Sequence, residues 1–278
     1  MFLEMKTERG LVLLARTKLN SIIKMVEEAS SSSPIEKQFV TDLNFSIEKT
    51  DSSIKHTPSR TFKPSSIGTC SRAIYFQLVG TQRDIEQRSS STMVGILENG
   101  TDRHIRIQQA IDDMAKNGID CEYLDVAQFI KDRGLSDKIE IVSKEGMETK
   151  CYCPEYNVSF LTDGIIKYKG KYYILEIKTM NAQKFIESKA VRDEHKAQGV
   201  LYCILFNLDR VMYLYEDRNT LKKKAFVYEV SEEEKTVLIN KMAYIELCVS
   251  RGTPPDIPVD KKCTYCNYIS WCEKIAEG

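Results

Sequence analysis

Between Val158 and Thr179 the chain reads VSFLTDGIIKYKGKYYILEIKT, and this stretch limits what the whole can become. Two runs rich in Ile, Tyr, Leu and Val flank Lys169-Gly170, the pattern of a β-hairpin closed by a two-residue turn. In such a hairpin Tyr168 faces Lys171, and counting outward sets Asp163 directly across from Glu176. Side chains alternate along a strand, so Lys178 projects from the same face as Glu176, next to it. Two facing carboxylates on an apolar sheet repel each other and are costly to desolvate unless a cation lies between them. A hard divalent ion, Mg²⁺ or Mn²⁺, suits such oxygens, keeps sites for water and phosphate, and lowers the pKa of bound water. Lys178 would orient that water or stabilise charge developing in a transition state. A surface hairpin with solvated charges is the other reading of these residues alone.

A chain of 278 residues can bury one large core, with or without attached elements. Its 40 basic and 40 acidic residues balance, so no global field announces nucleic acid and any footprint must be local. Residues 52–83 supply one, with Lys55, Arg60, Lys63, Arg72 and Arg83 and no Asp or Glu; a solvated basic loop would look the same. No apolar run is long enough to cross a membrane, and MFLEMKTERG lacks the basic-then-apolar plan of a secretory signal. The expectation is a soluble, intracellular protein of the cytoplasm. In that compartment nine cysteines suggest metal ligation or burial, not a disulfide framework.

Helices are expected over 8–29, 35–46, 66–79 with Cys70 in the first turn, 93 to about 118, 120–135, 182–205, and 231 to about 250 behind a Ser231/Glu234 capping box. Residues 47–66 read as polar and irregular. Strands are expected over 139–143, 149–153 and 158–161, leading into the hairpin, then over 210–215 and 225–230. On the 93–114 helix, Met93, Ile96, Leu97, Gly100, His104, Ile107, Ile111 and Met114 share one face, so His104 points inward. An inward histidine is more often a satisfied core residue than a ligand. Gln198 and Tyr202, four apart, share a face of the helix after the hairpin. Lys222-Lys223-Lys224 reads as a solvated turn or a phosphate contact.

Asp163-Gly164 with Glu176-Ile177-Lys178 resembles the core motif of the PD-(D/E)XK nuclease superfamily. Gly100-Thr101-Asp102-Arg103-His104 and the Gln198/Tyr202 pair, in their positions before and after the hairpin, are similar to motifs of its RecB-like branch. The resemblance implies a restriction-endonuclease-like α/β core whose mixed central sheet is flanked by helices. It makes Asp163, Glu176, His104 and the main-chain carbonyl of Ile177 metal ligands, with Lys178 positioning water. Gln198 and Tyr202 are implied to support the site or contact nucleic acid. Glu98, the other candidate on the 93–114 helix, falls off its inward face.

The tail CTYCNYISWC carries Cys263, Cys266 and Cys272 at Cys-x2-Cys-x5-Cys spacing, and a tetrahedral thiolate site needs a fourth ligand, for which Cys70 is the distant candidate. One upstream cysteine with three at the end of the core resembles the iron-sulfur nucleases of the superfamily, found among AddB-type, CRISPR-associated and phage-encoded enzymes. A 4Fe-4S clasp closing a loop of nearly 200 residues is the expectation, with Zn²⁺ as the alternative occupant. The expected division is an N-terminal extension, 1–64, and a nuclease domain, 65–278, with the cysteine segment at 263–272. The function implied is metal-dependent hydrolysis of DNA, exonucleolytic on single-stranded ends, in recombination, replication or repair, with a helicase or recombination protein as partner. A non-catalytic DNA-binding or assembly subunit is the alternative, and an RNA substrate a third.

Overall fold

The computed structural model describes residues 33–53, 60–84, 90–256, 263 and 266–277. The chain divides into two units, residues 1–54 with 88–94 and residues 55–87 with 95–278. In the first, helix α1 (Pro34–Ser53) runs past the 35–46 expected from sequence. Its polar second half stays helical, with Thr50 Oγ1 donating back to the carbonyl of Ser46 at 2.9 Å. The helix expected over 8–29 lies outside the described residues.

In the second unit the single helix expected over 66–79 is two, α2 (Pro64–Ile67) and α3 (Ser71–Val79). Gly68-Thr69 breaks it: the Thr69 N–H and hydroxyl both donate to the carbonyl of Ser66, at 2.9 and 2.7 Å. Cys70 is therefore the N-cap of α3 and not a residue of a first turn, and Gly80 closes α3 in the left-handed conformation. Helix α4 (Ser91–Lys116) follows, then β1 (Cys121–Leu124) and α5 (Val126–Asp132) where one helix over 120–135 was expected. Tertiary pairing overrides propensity in so short a stretch, because β1 lies antiparallel on the strand that follows Asp163. Asp125 then caps α5 by accepting from the Gln128 N–H at 2.8 Å.

Strands β2 (Glu140–Glu145), β3 (Glu148–Cys153) and β4 (Val158–Leu161) form an antiparallel sheet of their own. The central sheet takes β5 (Gly164–Tyr168), β6 (Lys171–Met180), β7 (Arg210–Asp217) and β8 (Lys223–Glu229) in the order β1-β5-β6-β7-β8. It is mixed: β6 and β7 run parallel and the other pairs antiparallel. Between β6 and β7 come α6 (Ala182–Glu187) and α7 (Asp193–Phe206), again a split of one expected helix. Lys224 Nζ explains the break, donating to the carbonyls of Phe185 and Ser188 at 2.6 and 3.2 Å where α6 ends. It is neither a solvated turn residue nor free to meet phosphate.

Helix α8 (Glu232–Arg251) carries the expected capping box and ends at Gly252. It packs on α3 and α7. Leu175 and Ile177 turn one face of the central sheet toward Ile107 of α4, while the main core, with Tyr213, Tyr215, Leu201 and Phe206, fills the other face under α7. Helices thus flank a mixed sheet. The tail helix α9 (Ile269–Glu277) is tied back to the segment after α3. Ser270 N–H donates to Asp84 at 2.8 Å, Asp84 N–H to the Asn267 carbonyl at 2.8 Å, and Trp271 Nε1 to the Gln82 carbonyl at 3.0 Å. Tyr268 stacks at 5.5 Å from Phe76. Among the described residues no helix is long and apolar enough to cross a membrane.

Candidate active site

The hairpin register is the one its sequence sets: Tyr168 faces Lys171 and Gly164 faces Leu175, across a turn in which Lys169 and Gly170 both have positive φ. Asp163 stands one residue beyond the ladder and bends toward β6, where its Oδ2 accepts the Ile177 N–H at 2.6 Å. N–H and C=O of one strand residue point to the same edge, so the Ile177 carbonyl is directed at the same gap. Gly164 permits this bend. Its φ is +149°, and a Cβ there would lie 2.5 Å from the Tyr123 hydroxyl. That hydroxyl and the Gln108 amide both donate to the Asp163 carbonyl, at 2.6 and 2.8 Å, fixing the residue from β1 and α4 together. Gln108, one helical turn past His104 and fully buried, was not singled out by the sequence.

His104 reaches the gap from α4, with Nδ1 3.2 Å from Asp163 Oδ1. Burial alone would lower its pKa, but the Asp163 hydrogen bond and the charges of Asp163 and Glu176 outweigh burial and raise it. Gly100 and Glu98 contribute nothing here: a Cβ on Gly100 would meet no atom within 4 Å, and Glu98 is exposed. The expected inward stripe begins only near His104, since Met93, Ile96 and Leu97 are exposed. A third donor comes from outside the hairpin. Glu148, the first residue of β3, brings a carboxylate oxygen so that the donor atoms of His104, Glu148 and Asp163 all lie within 4.8 Å of one another. No local pattern marks Glu148, because it belongs to a different sheet.

Glu176 is 2 % exposed. Oε1 pairs with Lys178 Nζ at 2.6 Å, while Oε2 is buried without a hydrogen-bond partner. Burial, then the Asp163 charge, push its pKa up. One imidazole nitrogen, carboxylate oxygens and an orphaned buried oxygen converging on one gap suit a hard or borderline divalent cation. Lys178 Nζ also donates to Gln198 Oε1 of α7 at 3.0 Å. Burial works against its ammonium, but Glu176 and Asp163 outweigh that and raise its pKa. Tyr202, one turn further along α7, is buried and donates to the Leu161 carbonyl at the end of β4. Gln198 and Tyr202 thus hold other parts of the site, and Tyr202 has no surface to offer nucleic acid.

Behind Lys178 lies a contact sequence reading did not find. His195 Nδ1 is 2.8 Å from the Tyr215 hydroxyl, on the strand residue paired with Lys178. Burial, then the Lys178 charge, depress the His195 pKa to about 4.

The nine cysteines are not gathered into one cluster. Cys121, Cys151, Cys153, Cys203 and Cys248 are buried separately in strands and helices. Cys70, Cys263, Cys266 and Cys272 share a neighbourhood: burial raises the Cys266 thiol pKa, and the charges of Cys70 and Cys263 add to it. Burial raises Cys272 likewise, against a hydrogen bond from Arg72. A tetrahedral zinc with Zn–S of ~2.3 Å would bring its sulfurs within about 3.8 Å of each other. Among the described residues no three of these thiols lie within 4.8 Å. A zinc-type ligand set is therefore not assembled among the described residues, where hydrogen bonds and the Phe76–Tyr268 ring pair join residues 76–84 to 267–271.

No protein-family model matches the chain, and no curated protein does. Among solved structures, that of SSO0001 is similar with a TM-score of 0.46 at 13% identity, over 84% of this chain and 96% of that one. The alkaline exonuclease LHK-Exo from Laribacter hongkongensis is similar with a TM-score of 0.42 at 11% identity, over 79% of this chain and 95% of that one. Its complex with dAMP gives 0.42 at 10% identity over the same shares.

Proposed function

We propose that this chain is a divalent-metal-dependent nuclease that hydrolyses the phosphodiester bonds of DNA. The observation that carries this reading is the partnerless, buried Oε2 of Glu176 beside Asp163 and His104. A buried carboxylate oxygen without a donor is costly, and a bound cation is what would satisfy it.

His104, Asp163, Glu176 and the Ile177 carbonyl would hold Mg²⁺ or Mn²⁺, with Glu148 close enough to His104 and Asp163 to join them. Bound there, the ion would supply a water of lowered pKa and a polarised phosphoryl oxygen. Lys178, kept as an ammonium, acts as a donor that orients water and offsets charge as it builds on the phosphoryl oxygens. Gln198 holds that ammonium in place. Tyr123 and Gln108 hold the Asp163 backbone so that its carboxylate faces the gap.

Attack from single-stranded ends, and service in recombination, replication or repair, extend the reading through the resemblance of the motifs. So does a 4Fe-4S cluster on Cys70, Cys263, Cys266 and Cys272. Iron and sulfide in anaerobically purified protein support the cluster; colourless protein holding zinc and no iron removes it.

The test is digestion of single- and double-stranded DNA, labelled at one end or the other, with Mg²⁺, Mn²⁺ or chelator. Wild type cuts with metal, releasing product from one end of single strands, and Lys178→Ala or Asp163→Asn lowers the rate by about 10²–10³. Wild type that binds DNA but cuts no better than Lys178→Ala would instead be a binding subunit, and the nuclease reading is then wrong.

A further inference from the structure

Beyond the gap, at the carboxyl end of β7, sits a second built site. Glu216 is fully buried, 0 % exposed, yet carries three cations. Arg106 Nη2 binds both its oxygens at 2.7 and 2.8 Å, Arg103 Nη1 reaches Oε1 at 3.3 Å, and Lys223 Nζ reaches Oε2 at 2.9 Å. Burial would raise the Glu216 pKa, but Arg106 and Lys223 more than reverse this and lower it, so it is an anion. Arg103 Nη2 also donates to the Arg218 carbonyl at 3.0 Å, and Arg218 Nη2 to the Thr179 carbonyl at 3.4 Å. The neighbouring Asp217 carboxylate is occupied by the Asn219 N–H and the Thr220 hydroxyl. Arg103, Arg106 and Lys223 thus face the single Glu216 carboxylate, a surplus of two positive charges.

That surplus points outward. The Glu216 side chain is enclosed, whereas those of Arg106 and Lys223 are 48 % and 41 % exposed. One buried anion therefore pre-orders the Arg106 guanidinium and the Lys223 ammonium, whose remaining donors face solvent, while Arg103, 17 % exposed, is held by Asn99, Glu216 and the Arg218 carbonyl. A phosphate is recognised in this way without ordering long side chains at the moment of binding. The location is as telling as the charge. Arg103 precedes His104 on α4, and Glu216 pairs in register with Thr179, the residue after Lys178. Strand alternation puts Thr179 and Glu216 on the α4 face of the sheet and Lys178 on the other, so the cluster adjoins the gap through α4, which carries Arg103, His104 and Arg106.

We infer that Arg106 and Lys223, organised by Glu216 with Arg103 bracing it, form a subsite for a backbone phosphate flanking the phosphodiester held in the Asp163–Glu176 gap. The occupant is a single nucleic-acid strand. The subsite rests on the nuclease reading for its ligand, but its test is binding in chelator, where no cutting occurs.

The probe is a short fluorescein-labelled oligo(dT), followed by anisotropy over a range of salt concentrations. Arg106→Gln and Lys223→Gln each weaken binding about fivefold near 0.1 M salt and reduce the slope of log Kd against log salt by about 0.7. Lys138→Ala, an equal loss of charge on the separate β2–β4 sheet side of the molecule, leaves both unchanged. Oligonucleotides with one methylphosphonate linkage need no variant. One position weakens wild type about fivefold, and the same linkage weakens Arg106→Gln no further. Wild-type affinity and slope in both glutamine variants, an equal effect of Lys138→Ala, or no sensitive linkage overturns the subsite. If these binding results hold and wild type cuts with neither metal, the subsite stands and the nuclease reading fails. If wild type cuts while the variants bind as it does, the reverse follows.

Discussion

At the scale of single residues, the candidate site depends on a bend that only Gly164 allows. Gly164→Ala forces a Cβ against the Tyr123 ring at a positive φ, so it costs about 2–4 kcal/mol in urea denaturation and abolishes metal-dependent cutting. A wild-type melting curve for that variant would show that the bend is not needed. His195 gives a pH dependence whose sign is fixed. Its folded pKa, about 4, lies below the ordinary 6.5, so the unfolded chain binds more protons between those values. Its stabilising contribution is whole above pH 6.5 and is lost as pH falls toward 4, on the order of 3 kcal/mol at the acid end. His195→Gln flattens stability against pH over that window; an unchanged acid limb in denaturant melts would refute the assignment.

At the scale of elements, the hairpin was legible because three constraints coincide in it: strand alternation, a turn pair that accepts positive φ, and charges that fall opposite only in one register. Asp163, Glu176 and Lys178 could be brought together from such local counting, whereas His104 joined them only through the resemblance of its helix motif. Glu148 could not, since β3 reaches the gap through a second sheet whose placement no neighbouring residue encodes. Short elements also escaped. Four residues of β1 are strand only because β5 is beside them, and α6 ends where Lys224, far along the chain, takes its carbonyls. Helix α7 has one consequence that can be measured. Gln198→Ala frees the Lys178 ammonium without disturbing the apolar face of α7, so kcat falls about tenfold while KM and the melting temperature hold. A rise in KM with kcat unchanged would place Gln198 on the substrate instead.

At the scale of the whole chain, the cysteine spacing pointed to a link between the tail and the segment around α3, and among the described residues hydrogen bonds make such a link. Asp84, Asn267, Ser270 and Trp271 join the two ends by hydrogen bonds, which leave no spacing signature because each partner is ordinary in composition. Asp84→Ala removes both Ser270 contacts. It lowers the melting midpoint by a few degrees, roughly 2–4 °C per kcal/mol lost, and opens α9 to limited proteolysis. Protection from protease equal to that of wild type would mean that this tether carries little of the docking.

Asp84 and its partner Ser270 are 186 residues apart, and the ring of Phe76 waits as long for Tyr268. At a ribosomal rate of ~5–20 residues per second that interval lasts roughly 10–40 s. Throughout it Phe76 lacks the ring it packs against, and that face of α3 stays uncovered until Tyr268 has been made.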